Sequence, residues 1–179
     1  VVVNNGTCAR RGNLLVDTEV QVGADGTFEF GDVSDTFSFN GFRVTNEGTV
    51  NLTVSTGKSA TYNGELTGSN GTFVKTGEGN FILNGTATYG GGISVEEGIL
   101  TAQSSGCLST SGGVAVSNGA TLLVTGNNTV GSLTGSGDVT INNGTTFSAS
   151  LSEGETSTFS GDISGGGNFT KGGAGTLTL

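Results

Sequence analysis

Proline, histidine, methionine and tryptophan are all missing from this 179-residue chain. Average usage would put proline near ~5% of positions. Proline has no N–H to give to a ladder and is confined to sheet edges and bulges. A backbone that pairs on both sides along most of its length excludes it. Without histidine there is no His-based catalytic triad and no His-ligated metal site. Basic residues number only six against fifteen acidic ones, a net charge of −9. That balance argues against nucleic acid or an anionic membrane surface as partner, since both need a basic patch. Arg10-Arg11, the sole adjacent basic pair, reads as a solvated turn. No run approaches the ~20 apolar residues of a membrane-spanning helix. No signal peptide is visible, and the chain begins at Val1 rather than Met, which reads as a processed product or an excised fragment.

What is present is equally one-sided. Gly, Thr, Ser and Asn supply 98 residues (35, 28, 19 and 16). Acidic Gly/Ser-rich chains often stay unfolded, but here Val, Ile, Leu and Phe fall at alternating positions. Such alternation marks Thr27–Phe30, Phe37–Phe42, Thr49–Val54, Asn80–Leu83, Ala120–Val124 and Thr176–Leu179 as strands, each flanked by Gly, Asn or Asp. No window of 11 residues carries helical spacing without an interrupting Gly. The fold class is all-β.

An internal period organises these strands. A turn-like Gly, then a small or β-branched residue, then an apolar position recurs at Gly6, Gly26, Gly48, Gly71, Gly98, Gly119, Gly144 and Gly167. Asn, Asp or Glu usually precedes the Gly, a pairing that favours positive φ in tight turns. A unit of about 23 residues is too short for a propeller blade and suits one coil of a solenoid. The expectation is a parallel β-helix of about eight coils, forming a single domain over residues 1–179. Inward Val, Leu, Ile and Phe stack into an apolar column, and Thr, Ser and Asn face outward.

The segment Gly68–Cys107 (GSNGTFVKTGEGNFILNGTATYGGGISVEEGILTAQSSGC) resembles the passenger-associated transport repeat of bacterial autotransporters. Asn168–Leu179 (NFTKGGAGTLTL) repeats its opening, with Lys171, Gly173, Gly175, Leu177 and Leu179 falling 96 residues after Lys75, Gly77, Gly79, Phe81 and Leu83. Gly131–Ile141 is similar to linking coils of these passengers. The motif is clear over 64–179, whereas 1–63 keeps the period with a weaker motif. Cys107 departs from the pattern, standing where the family has a small residue. The resemblance implies a right-handed β-helix displayed outside a bacterial cell, the hand also following the general rule for parallel crossovers.

Candidate chemistry is sparse. Gly57-Lys58-Ser59 ends like a phosphate-binding loop but lacks the first glycine of that motif. Carboxylates that could serve polysaccharide cleavage are Asp32 and Asp35, Glu96 and Glu97, and Glu153 and Glu155, none with a basic residue within several positions. The calcium-binding nonapeptide repeat is absent. Asn5, Asn51, Asn70, Asn84, Asn127, Asn143 and Asn168 begin Asn-x-Thr sequons, most of them by-products of NGT turns. Cys8 and Cys107 fall about four coils, or about 19 Å, apart, too far for a disulfide. Cys8 occupies the slot of Phe28 and Val50, while Cys107 stays open to an intermolecular bond.

No catalytic, cofactor-binding or metal-ligating residue is therefore assigned, and the chain reads as a non-enzyme. The function expected is that of an extracellular structural or adhesive β-helix meeting surface glycans, host or cell-surface proteins, or its own copies. The alternatives are end-to-end stacking into a filament through the terminal coils (Val1, Val2, Val3 and Leu177, Thr178, Leu179) and a polysaccharide-cleaving β-helix.

Overall fold

A computed structural model describes residues 1–10, 19–33, 37–39 and 43–179. The described residues contain no helix, and all their ladders are parallel strand pairs. One coil shows the plan. Arg43–Asn46 lies on a first face, Thr49–Val54 on a second and Ser59–Tyr62 on a third. The next coil repeats it with Glu65–Gly68, Thr72–Thr76 and Asn80–Leu83, each strand paired to its equivalent. The protein is a parallel β-solenoid of about seven turns with about 21 residues per turn, close to the expected eight coils of 23.

Alternation decides what faces inward. Thr49–Val54 buries Val50, Leu52 and Val54 and turns Thr49, Asn51 and Thr53 outward. Stacking then aligns equivalent positions. On the second face Cys8, Phe28, Val50, Phe73, Ile93, Val114 and Leu133 form one inward row. On the third face Ala60, Phe81, Leu100, Leu122, Val139 and Ile163 form another. Each fully buried Val, Leu, Ile or Phe contributes ~1.5–3 kcal/mol relative to exposure, so these rows hold the coils together. Small polar ladders run outside, as between the hydroxyls of Thr53 and Thr76, 2.8 Å apart.

The strands expected at Thr49–Val54 and Asn80–Leu83 are found with those bounds. Thr27–Phe30 lies inside Glu19–Val33, a longer strand that runs through the corner between the first and second faces. The others are shorter than expected, at Thr121–Val124 and Thr176–Thr178. Of Phe37–Phe42, Phe37–Phe39 is a strand and 40–42 lie outside the described residues.

The recurring glycines serve two different ends, which corrects their uniform reading as positive-φ turns. Gly119 has φ +83° with open space around it, and the Ala120 N–H donates to the Ser117 carbonyl (2.9 Å). Matching turns close at Ser55–Lys58, Asn142–Thr145 and Ser152–Glu155. Gly26, Gly48, Gly71 and Gly167 instead lie outside the left-handed region, and a Cβ on any of them would overlap the backbone of the coil below. Gly68 meets both conditions, with φ +125° and the Asn46 carbonyl where a Cβ would stand.

The two copies of the Lys-Gly motif do not stack on one another. The first turns the corner from the second face to the third, through Thr72–Thr76 and Asn80–Leu83. The second turns from the first face, where Asn168–Gly172 pairs with Thr146–Ser150, to the second at Thr176–Thr178. Ninety-six residues is not a whole number of turns, so the same strand–corner–strand unit serves two different corners.

Candidate functional site

Lys75 holds an inward position between Leu52 and Val95 and is fully buried. Its ammonium donates to the carbonyls of Thr76 (2.9 Å), Gly77 (2.6 Å) and, from the next coil, Glu97 (3.0 Å). The Glu97 carboxylate accepts the Gly77 N–H (2.9 Å), closing the clasp from the other side. Burial pushes the Lys75 ammonium down to about 8, while Glu97 and Glu78 oppose that fall. Lys171 repeats the arrangement with the carbonyls of Gly173 (2.8 Å) and Gly175, but its side chain is exposed. The motif lysine is thus a structural clasp at a corner, buried at Lys75 and exposed at Lys171.

Of the acidic residues weighed for cleavage, Glu97 and Glu155 are engaged similarly, as is Glu47, while Glu96 and Glu153 are exposed. Besides Glu97, Glu155 accepts the Ser152 N–H of its own turn (2.7 Å). Glu47 accepts those of Ser69 (2.6 Å) and Asn70 (3.2 Å) in the next coil. Asp35, Arg11 and the side chains of Asp32 and Arg10 lie outside the described residues. No group of three or more His, Cys, Asp or Glu that could hold a metal occurs among the described residues. Gly57-Lys58-Ser59 belongs to the Ser55–Lys58 corner turn, with no helix behind it.

Both cysteines are free, and Cys8 pairs in register with Phe28, as its slot predicts. Cys107 sits where the first face loses its strand between Thr86–Tyr89 and Asn128–Val130. There side chains replace the ladder: Asn128 Oδ1 accepts the Leu108 N–H (2.9 Å), and its amide donates to Ser104 (3.0 Å) and Gly126 (2.9 Å). Cys107 is 2% exposed, and burial pushes its thiol up to about 11. This corrects the expectation that it is open to an intermolecular bond. Iodoacetamide at mildly alkaline pH is expected to alkylate half-buried Cys8 in the folded protein and Cys107 only after denaturant is added. Intact mass with peptide mapping reads the order.

Apart from Asn84, which begins one of the sequons, the residues best placed to meet a ligand were not marked in the sequence. Where the third face turns into the first, a recess of about 700 Å³ crosses three coils. One wall is the in-register row Arg43, Glu65 and Thr86. Arg43 Nη2 lies 2.7 Å from the Glu65 carboxylate, with 58% and 38% of the two side chains exposed. The opposite wall is Asn63 and Asn84, whose amides are bonded (2.8 Å), followed by Ser104 and Ser105. Gly64, which is buried, and Gly85 line it between these rows, and a Cβ on Gly85 would overlap the Gly64 carbonyl of the coil below, so the glycine lets the two coils stack closely. The signal was the Asn-Gly pair at 63–64 and again at 84–85, one coil apart.

Residues 73–102 match the passenger-associated-transport-repeat family. The chain carries an autotransporter passenger repeat. That repeat begins in Thr72–Thr76, which carries Lys75, and ends with Ile99–Ala102, one coil later on the third face. The Lys75 clasp and the Asn84–Gly85 part of the recess both lie within it. Across the whole chain, the "Adhesin BmaC autotransporter" of Brucella suis biovar 1 (strain 1330) is 37% identical over 190 aligned positions. The chain spans 5% of that relative's length. No solved structure matches.

Proposed function

We propose that this β-solenoid is a non-catalytic, adhesive segment of a bacterial surface protein, held outside the cell, where its outward faces contact other surfaces. The observation that carries this reading is the end-to-end similarity to a protein named as an adhesin, on a chain that bears a passenger repeat. The carboxylate chemistry supports it, because Glu97 and Glu155 are each bonded to a corner N–H. Many weak contacts repeated from coil to coil would add by avidity. Beads coated with the purified 179-residue chain are expected to attach to cultured host cells well above albumin-coated beads. Equal attachment would remove the adhesive reading.

A further inference from the structure

We propose that the recess between the third and first faces binds a linear, neutral oligosaccharide lying parallel to the solenoid axis. The inference deepens the adhesive reading by naming where and what the segment grips. Gly64 and Gly85 line the recess with their carbonyls already taken, by the Thr86 N–H (3.2 Å) and the Ser104 hydroxyl (2.9 Å), so a ligand would meet the polar side chains on either side of them. The walls repeat with the coils, at ~4.8 Å. A chain of hydroxylated rings laid along the axis therefore meets a fresh set of groups at each step.

Those groups suit hydroxyls. Arg43 has guanidinium N–H groups beyond the Nη2 that faces Glu65, and the side chain is more than half exposed. Asn84 uses its amide N–H toward Asn63, which leaves its carbonyl oxygen as an acceptor. Thr86 and Ser105 are exposed at the edge of the recess. The recess thus offers both donors and acceptors, as a polyol requires.

Charge selects among glycans. Arg43 is balanced by Glu65 at 2.7 Å, and the ammonium groups of Lys75 and Lys171 are held by backbone carbonyls. The chain as a whole carries −9. A polyanionic glycan would meet repulsion and no unbalanced cation in the recess. Both tyrosines are fully buried, so neither offers a stacking surface, and recognition falls to hydrogen bonds that are individually weak in water.

The test is an NMR titration of the 15N-labelled chain with cellohexaose, maltohexaose, laminarihexaose and chitohexaose, with a heparin hexasaccharide as the polyanionic probe. At least one neutral sugar is expected to shift the amides of Asn63, Asn84 and Ser105, and heparin to leave them in place. Ser105→Trp would fill the recess from an exposed position and is expected to abolish the shifts with an unchanged circular dichroism spectrum. Arg43→Gln, on the opposite wall, is expected to weaken them several-fold. Overturning results are silence from all four neutral sugars, equal or larger shifts with heparin, or shifts that survive both substitutions. Beads carrying folded Ser105→Trp separate the two claims: undiminished attachment to cells sinks the recess as the gripping site and leaves the adhesive function standing.

Discussion

Replacing Lys75 with alanine is expected to lower the free energy of unfolding by about 3 kcal/mol or more. Three corner carbonyls lose their donor at once, and a buried group left without a partner costs ~1–3 kcal/mol. The vacated volume adds a cavity term. Because one of the three carbonyls belongs to the next coil, the damage extends to the contact between coils. Lys75→Met separates the contributions, since it keeps most of the volume and still leaves the carbonyls without a donor. Urea denaturation followed by circular dichroism measures both. Lys171→Ala, at an exposed copy of the same clasp, is expected to shift the midpoint far less. Equal losses at the two positions would show that the inter-coil bond to Glu97 contributes little.

The same clasp predicts a pH dependence. The Lys75 ammonium falls from its ordinary 10.5 to about 8 in the folded protein. Between those values the unfolded chain binds more protons than the folded one, so stability rises with pH across that window. Below about 8 both states carry the charge and the slope vanishes. Lys75→Met is expected to remove the rise, read as the difference in urea midpoint between wild type and variant at each pH.

Gly68→Ala is the second substitution with a large expected effect, a loss of about 4 kcal/mol or failure of the coil to form. Two penalties coincide at Gly68. A φ of +125° is a region that side chains avoid, and the added Cβ would overlap the Asn46 carbonyl. That neighbour is backbone in a stacked coil and cannot turn aside, whereas the end of a flexible side chain could. Gly119→Ala gives the comparison. Its φ of +83° is strained for alanine, but nothing stands within 4 Å, so the left-handed penalty of ~1–2 kcal/mol acts alone. Thermal unfolding of the two variants side by side measures the difference. Equal losses would mean that the contact with Asn46 relaxes freely.

The sequence made some of this plain and concealed the rest for physical reasons. Alternation is a local signal, so Thr49–Val54 and Asn80–Leu83 were legible from their own residues, and so was the inward slot of Cys8. Which face a strand joins is not local. The two Lys-Gly copies look equivalent as text yet occupy different corners, because corner lengths vary. Equivalent positions fall 17 residues apart from Leu122 to Val139 and 24 from Val139 to Ile163. The burial of Lys75 was hidden by its charge, although it stands at an inward place in its strand. Asn46, also fully buried, reads like the other Asn-rich corner residues, but its side chain bonds the backbone at Gly48 (3.0 Å) and Thr72 (3.0 Å). The recess could not be read from any one coil, since its walls come from three.

The four closed corner turns at Ser55–Lys58, Ser117–Ala120, Asn142–Thr145 and Ser152–Glu155 share one property. Their glycines, Gly57, Gly119, Gly144 and Gly154, have no neighbouring atoms within 4 Å of where a side chain would begin. Extra residues inserted there would extend into solvent and leave the ladders on either side in register, since lengthening a surface loop costs only ~0.6 kcal/mol per doubling. Such corners are places where a lineage can graft new loops, of any chemistry, without rebuilding the rod. Spacing is then inherited from the stack, while specificity is free to change one corner at a time.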